Sequence, residues 1–380
     1  MDNIQRKEEL QKAAEEAHMR AGYKSTICAS VGSGKSKIAI NRINAHKLMS
    51  TPAKVLFTGA RDIYLEMFKK ELIKFDLKQF IPEITFCCVA SLKKYATEDW
   101  TLIIIDESHI DIERILAFIE VYKHKKCEIL LLTGTPISER NEIGREIYKI
   151  CPISYRKTLD SSIEDTLVND YKITIVYHKL DNVNKYIPYG AQAHQSETQK
   201  YGFLLMRYNA SFGQKRKKFP FELTELKRFF KNLKSKKEIA LKLLEKINGK
   251  VLVYAGSIEQ AEEMGMKTYH SKLDKATRKE VLSLFIEGKI KSLCNVAGIR
   301  ESANIPELKY GIILAPDASE NSFEQTVGRF SRLVIGEVAH IVVLCAKGTI
   351  EEVWVNNAIR KLDTTKINKV NIEQIENLYQ

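Results

Sequence analysis

Several features are missing from this chain, and each absence removes a class of protein. Its 380 residues hold no apolar run that could span a bilayer. The uncharged stretches Leu102–Ile105 and Ile341–Cys345 fall far short of the roughly 18 residues needed. The opening MDNIQRKEEL is charged throughout and has no apolar signal-type segment, which argues against secretion. Seven cysteines form no CxxC pair and lie mostly in apolar, strand-like stretches, so buried thiols in a reducing compartment are expected rather than zinc or disulfides. There is no short-period repeat and no low-complexity segment. With 44% hydrophobic and 28% charged residues, wholesale disorder is excluded. A cytoplasmic globular protein without membrane contact is the expectation. Negative charge is also in short supply: 48 Asp and Glu stand against 60 Lys and Arg, a net +12, which favours polyanionic partners.

At roughly 100–200 residues per domain the length predicts two domains. Thr26–Ala29, Lys54–Phe57, Ile84–Val89, Leu102–Ile105 and Ile129–Leu132 are nearly continuous apolar runs, the pattern of parallel strands covered on both faces. Helical patterns lie between them at Lys35–Ile43, Tyr64–Phe75 and Ile112–Tyr122, the last with Asp111 as a candidate N-cap. The rhythm recurs later in the chain. Strands are expected at Tyr171–Tyr177, Val251–Tyr254, Leu293–Val296, Ile312–Leu314 and Ile341–Leu344, with helices at Lys237–Ile247, Lys275–Ile286 and Phe323–Phe330. Strands alternating with helices mean βαβ units and parallel sheets. The predicted boundaries are a first α/β domain at 1–155, a linker at 156–170, a second α/β domain at 171–362 and a C-terminal helix at 363–380.

The stretch from about 185 to 235 carries no strand rhythm and reads as a helical basic arm within the second domain. Lys215, Arg216, Lys217 and Lys218 open a run to Lys237 with ten basic and two acidic residues. Leu223, Leu226, Phe230 and Leu233 recur at helical spacing, giving one apolar and one basic face. Such a helix either packs on the second domain with a solvated outer face or offers a surface to phosphate backbones.

Two motifs carry chemistry. Ala29-Ser-Val-Gly32-Ser33-Gly34-Lys35-Ser36 follows a strand and opens a helix, the context of a phosphate-binding loop with Ala in the first position. Its glycines let backbone N–H groups close on phosphate oxygens, and the helix N-terminus adds its positive end. Lys35 would reach the β- and γ-phosphates and Ser36 a Mg²⁺ ion. Leu102-Ile-Ile-Ile-Asp106-Glu107-Ser108-His109 ends an apolar strand in two carboxylates, one suited to hold Mg²⁺ and one to deprotonate a water. Together they predict a nucleoside triphosphatase using ATP and Mg²⁺.

With these in place the chain resembles the superfamily 2 helicases over nearly its whole length. DESH at 106–109 is similar to the family's DExH-type second motif, and Thr133-Gly-Thr135-Pro136 to its third. Tyr254-Ala-Gly-Ser257, His270-Ser271, Gly298-Ile-Arg-Glu301-Ser-Ala-Asn304-Ile-Pro306 and Gln325-Thr-Val-Gly328-Arg329-Phe-Ser-Arg332 resemble later motifs in the family's order. The compact core most resembles phage-type helicases, among them the branch-migration helicases of T-even phages.

The resemblance implies two tandem RecA-like domains and gives individual residues roles. Gln325, Arg329 and Arg332 would join Lys35, Asp106 and Glu107 in hydrolysis, with the arginines acting as fingers worth roughly 10³–10⁵ in rate. Gln11 would read adenine, and Glu301 would line the nucleotide site. His109, Thr133 and Thr135 would couple hydrolysis to movement. Arg61, Ser91, Ser257 and His270 would contact nucleic acid, DNA in preference to RNA and chiefly through its backbone. A monomer is expected. The alternatives are a nucleic-acid-dependent ATPase that remodels complexes without unwinding, and an RNA helicase.

Overall fold

The computed structural model describes residues 3–30, 32–49, 52–60, 62–138, 141–189, 193–211, 221–296, 305, 308–316, 320–330 and 337–377, and the statements below concern these. The chain divides into two units, Met1–Val168 and Asn169–Gln380.

In the first unit the order is α1 (Asn3–Arg20), β1 (Lys24–Ala29), α2 (Lys35–Met49), β2 (Val55–Gly59), α3 (Asp62–Lys74), β3 (Ile84–Cys88), β4 (Leu102–Ile105), α4 (Ile112–Tyr122), β5 (Glu128–Thr133), α5 (Glu142–Ile150), β6 (Ile153–Lys157) and α6 (Leu159–Glu164). Its strands form one sheet in the order β3-β2-β4-β5-β1-β6, all pairs parallel. Side chains alternate across β4 and β5. Leu102, Ile104, Leu130 and Leu132 enter one core with Ile38, Ile43 and Phe57. Ile103, Ile105, Ile129 and Leu131 enter the opposite core with Ile115, Ile119 and Tyr122. Burial on both faces accounts for the unbroken apolar runs, each large side chain contributing about 1.5–3 kcal/mol.

The second unit runs β7 (Asp170–His178), β8 (Ile187–Tyr189), β9 (Ala193–Gln195), α7 (Glu197–Ser211), α8 (Phe221–Lys231), α9 (Lys234–Lys246), β10 (Lys250–Tyr254), α10 (Ile258–Glu263), β11 (Thr268–Tyr269), α11 (Lys275–Ile286), β12 (Ser292–Asn295), β13 (Leu308–Ile313), α12 (Glu320–Phe330), β14 (Val338–Ala346), α13 (Ile350–Ala358) and β15 (Ile367–Asn371). Its main sheet has the order β11-β12-β10-β13-β14-β7-β15, again parallel throughout. The α/β class and the paired parallel sheets match the sequence expectation. Among the described residues no helix is long and apolar enough to cross a membrane.

Three expectations need correction, and a fourth holds in position only. The stretch 156–170 is no free linker: β6 pairs with β1 at the sheet edge, and the unit boundary falls after Val168. The predicted C-terminal helix at 363–380 is instead β15, paired with β7, followed by a short 3-10 turn at Ile372–Asn377. Residues 185–235 are helical in α7 and α8 but also hold the antiparallel pair β8–β9. Asp111 stands at the N-cap position of α4 with a left-handed backbone and no capping hydrogen bond, its carboxylate bonding Arg114 instead.

The insertion is seated rather than free. Leu226, Phe230 and Leu233 are buried with Leu204 and Ala346, and Trp354 packs on them. Beneath them Lys236 and Glu351 form a fully buried ion pair. Glu351 also accepts a hydrogen bond from the Ala346 N–H at 2.9 Å.

Candidate functional site

The carboxyl ends of β1, β4 and β5 in the first unit gather most of the residues singled out in its sequence, as expected for ligand sites on open α/β sheets. After β1 the chain turns through Gly32 and Gly34, both at positive φ (86° and 92°), a conformation that favours glycine. At Gly34 space is also limiting, because a Cβ there would land on the Gln11 side-chain amide. Gln11, on α1, is only 7% exposed. Its amide therefore lies against the loop, where the resemblance places an adenine reader.

The loop is tied down at several points. Ser33 Oγ donates to the Ser30 carbonyl at 2.6 Å, and Ser30 Oγ bonds Ser162 Oγ of α6 at 2.8 Å. The Ser30 N–H donates to the Lys157 carbonyl of β6 at 3.0 Å. The edge strand β6 and α6, which the sequence did not reveal, thus buttress the loop. Lys35 Nζ folds back to donate to the Ala29 carbonyl at 3.0 Å. It also passes so near Gly134 that a Cβ there would stand 3.2 Å from it. Ser36 follows on the first turn of α2.

Asp106 leaves the tip of β4, its N–H donating to the Thr58 carbonyl of β2 at 2.9 Å. Its carboxylate accepts the Glu107 N–H at 3.0 Å. Burial, then the neighbouring Glu107 charge, push the Asp106 carboxyl well above the usual range, and the Lys35 ammonium partly opposes them. Glu107 adopts a left-handed backbone (φ 51°), a strained state that functional turns often store. Its Oε2 is buried without a hydrogen bond and has His109 Nδ1 at 3.5 Å. The site is therefore a pair of carboxylates short of positive charge, facing one lysine.

His109, Thr133 and Thr135 form one network. His109 Nδ1 lies 3.0 Å from Thr133 Oγ1. The Thr133 hydroxyl donates to the Thr135 carbonyl at 2.8 Å and accepts the Thr135 N–H at 3.1 Å. With its one proton committed, the hydroxyl can only accept from the histidine, which fixes the proton on Nδ1. Burial lowers the His109 pKa, so the ring is neutral near pH 7. Ser91 is half-buried in the 3-10 turn Val89–Tyr95 that follows β3, at the same sheet edge.

In the second unit Ser257 caps α10, accepting the Gln260 N–H at 3.0 Å. His270 follows β11 but is only 3% exposed, its Nε2 3.7 Å from Glu262 Oε1. The ring is therefore buried beside a carboxylate, and the nucleic-acid role that the resemblance implies for His270 is an expectation only. Gln325 is half-buried on α12, and Arg329 lies in the same helix with only its backbone described. Arg61, Lys215, Arg216, Lys217, Lys218, Glu301 and Arg332 lie outside the described residues.

Among the described residues no group of three or more His, Cys, Asp or Glu side chains could hold a metal alone. The available donors, the Ser36 hydroxyl and the Asp106 carboxylate, are all oxygen, and Lys35 compensates the Asp106 charge only in part. That set fits a hard divalent ion that takes its remaining ligands from phosphates and water.

Comparison with known proteins bears on the fold. Residues 235–334 match the helicase conserved C-terminal domain. No curated protein matches the chain in sequence. Among solved structures it is similar to the ATP-dependent type ISP restriction-modification enzyme LlaBIII bound to DNA, at 15% identity and TM-score 0.62, over 95% of this chain and 31% of that one. It is similar to S. cerevisiae Dbp5 bound to RNA and ADP BeF3, at 10% identity and TM-score 0.60, over 97% and 91%. It is also similar to the Pyrococcus furiosus Hef helicase domain, at 14% identity and TM-score 0.52, over 92% and 96%. The chain thus spans about a third of the restriction-modification enzyme's length. The chain shares with these proteins two RecA-like units, and residues 235–334 of the second match the helicase conserved C-terminal domain.

Proposed function

We propose that the chain is a superfamily 2, DExH-type ATPase that works as a DNA helicase or translocase, coupling ATP hydrolysis to unwinding or branch migration in replication, recombination or repair. The observation that carries this reading is the meeting of Lys35, Asp106 and Glu107 at one sheet edge, with the Lys35 charge felt by Asp106. The turn through Gly32 and Gly34 cradles phosphates with backbone N–H groups, Lys35 moves from the Ala29 carbonyl to the β- and γ-phosphates, and Gln11 bonds the adenine edge. Ser36 and Asp106 would hold Mg²⁺, which when bound would supply neutralising charge for the phosphates. Glu107, whose buried Oε2 has no hydrogen bond, takes the proton of the attacking water. Gln325, Arg329 and Arg332 would complete the charge stabilisation in hydrolysis, and Glu301 would belong to the nucleotide-binding set.

His109, Thr133 and Thr135 pass the state of the phosphate to the surface that holds nucleic acid. Ser91, Arg61, Ser257 and the cations Lys215, Arg216, Lys217 and Lys218 contact its backbone. The protein acts as a monomer in the cytoplasm, in the manner of compact phage-type helicases. The similarity to a structure solved with RNA supports an RNA helicase as the second reading. An ATPase screen with single-stranded DNA, duplex, forks, four-way junctions and RNA decides between them. Strand displacement on forks or junctions is expected alongside DNA-stimulated hydrolysis. Hydrolysis with no displaced strand on any substrate would leave a translocase that remodels complexes without unwinding.

A further inference from the structure

We infer that α8 and the turn after β10 form a built groove that grips the sugar-phosphate backbone of a nucleic-acid strand, an addition to the second unit supplied by the insertion. The inference rests on the nucleic-acid reading above and names where the second unit holds the strand. The groove has a volume of about 570 Å³ and is lined by Lys227, Arg228, Lys231 and Asn232 on one side and Gly256 and Ser257 on the other. Its acidic lining residue is Glu259, leaving a net positive wall.

Three observations make this a site rather than a solvated face. First, the helix is held in place. Leu226 and Phe230 are buried, and Ser257 Oγ donates to Asn232 Oδ1 at 2.6 Å. The Lys231 stem packs on Gly256 so closely that a Cβ there would lie 3.0 Å from Lys231 Cβ and 2.8 Å from Ala315 Cβ. Glycine at 256 is what allows the basic helix to dock on this turn. Second, the cations outnumber the acid that faces them: Glu259 feels the Arg228 charge, and no other carboxylate among the described residues lines the groove. Lys227 and Lys231 stand one turn apart, a like-charge spacing that destabilises a helix. Among the described residues none of the three cations lies within ion-pair distance of a carboxylate, whereas Arg207 nearby reaches Glu225 at 2.9 Å. Third, the donors suit phosphate. Cations, a hydroxyl and an amide line the groove and no aromatic ring does, so it holds backbone and reads no base.

Lys227 and Lys231 are about 6 Å apart along the helix axis, comparable to the separation of neighbouring phosphates on one strand. The groove therefore spans about two phosphates. Its place at the carboxyl end of β10 is where open α/β sheets bind ligands.

The test uses the full chain and a fluorescent single-stranded oligothymidylate, with anisotropy followed across a salt series. Gln at all three positions (K227Q, R228Q, K231Q) keeps the stems and removes the charge. It should weaken binding about 10- to 100-fold at low salt and reduce the salt slope by about two, with nucleotide binding unchanged. Arg228→Gln alone, at an exposed side chain, avoids any folding defect and should lower the slope by about 0.7. Gly256→Ala retains every charge yet pushes α8 from its seat, and should weaken binding several-fold. Wild-type affinity and slope in the triple and Arg228→Gln variants would overturn the groove while leaving the helicase reading intact. Wild-type binding in Gly256→Ala would show loose charge rather than a built groove. Loss of polyglutamate binding alone in the triple variant would assign the surface to an acidic protein. Failure of the wild-type chain to bind any oligonucleotide would remove the nucleic-acid reading itself, and the groove with it.

Discussion

The two ends of the first sheet hold contrasting polar clusters. At the amino end Glu128, the first residue of β5, is 8% exposed, with His18, Arg42 and His46 buried around it. His18 Nε2 lies 3.1 Å from Oε1 and His46 Nδ1 3.2 Å from Oε2. Arg42 Nη2 adds a bond of 3.1 Å to Oε2. The outer nitrogens are used as well, His18 Nδ1 by Ser25 at 2.7 Å and His46 Nε2 by Thr101 at 2.9 Å. Burial alone would raise the Glu128 pKa, but the two histidine hydrogen bonds and the Arg42 charge bring it to about 2. At the carboxyl end Asp106 is pushed upward by burial and Glu107, and Glu107 keeps an unbonded buried oxygen. The same strands thus carry a carboxylate satisfied from within and a pair that is not. A closed cluster ties helices to a sheet. An open one leaves a deficit of positive charge that a cation can fill.

The largest expected effect lies at the open end. Glu107→Gln should reduce nucleic-acid-stimulated phosphate release by about 10²–10⁴, the range for a lost general base. Since Glu107 is not part of any closed network, its melting temperature should stay within about 2 °C of the parent. A parallel loss of folding would mean that the two ends do not differ in kind.

Glu128→Ala should do the reverse. It leaves a buried guanidinium without its counter-charge, a defect worth about 3–5 kcal/mol in a denaturant midpoint. Nucleotide affinity measured well below the melting transition should be unchanged. The same residue predicts a pH window. An unfolded glutamate takes up its proton near the ordinary value of about 4.3, but the folded one only near 2. Stability from Glu128 is therefore fully present above roughly pH 4.5 and is lost as pH falls toward 2, on the order of 3 kcal/mol in all. The alanine variant should show a flatter acid limb, and an unchanged limb would break the contrast.

Central strands were legible in the sequence because burial on both faces writes an unbroken apolar run, as in Leu102–Ile105. The edge strands β6 and β15 were not. β6 reads ISYRK and β15 reads INKVN, each with one neighbour and no buried side chain. Neither carries a pattern that separates strand from loop. The phosphate-type loop and the two carboxylates were legible because their spacing is local. The Glu128 cluster was not, since His18, Arg42 and Glu128 lie far apart in sequence and meet only through parallel pairing of β1 with β5. The burial of His270 was not legible either: a local pattern singled it out, but its 3.7 Å approach to Glu262 on α10 is set by the fold. The groove beside Ser257 likewise depends on Gly256, whose need for a small residue appears only when α8 docks.

The smallest effect sharpens the contrast most, because it tests both ends of one strand. Thr133 closes β5 roughly 17 Å from Glu128. Its hydroxyl joins His109 to Thr135. Thr133→Val leaves the His109 Nδ1–H and the Thr135 N–H without this acceptor, at about 1–3 kcal/mol. Stimulation of hydrolysis by nucleic acid should fall about tenfold while the KM for ATP moves less than twofold, since the network touches neither Lys35 nor the loop directly. Stability costs of Glu128→Ala and Thr133→Val should then add within about 0.5 kcal/mol in the double variant, as for distant sites without shared partners. A coupling well above that would mean that β5 transmits strain from the closed cluster to the open one, and the amino-end cluster would have to be read as part of the motor rather than as its anchor.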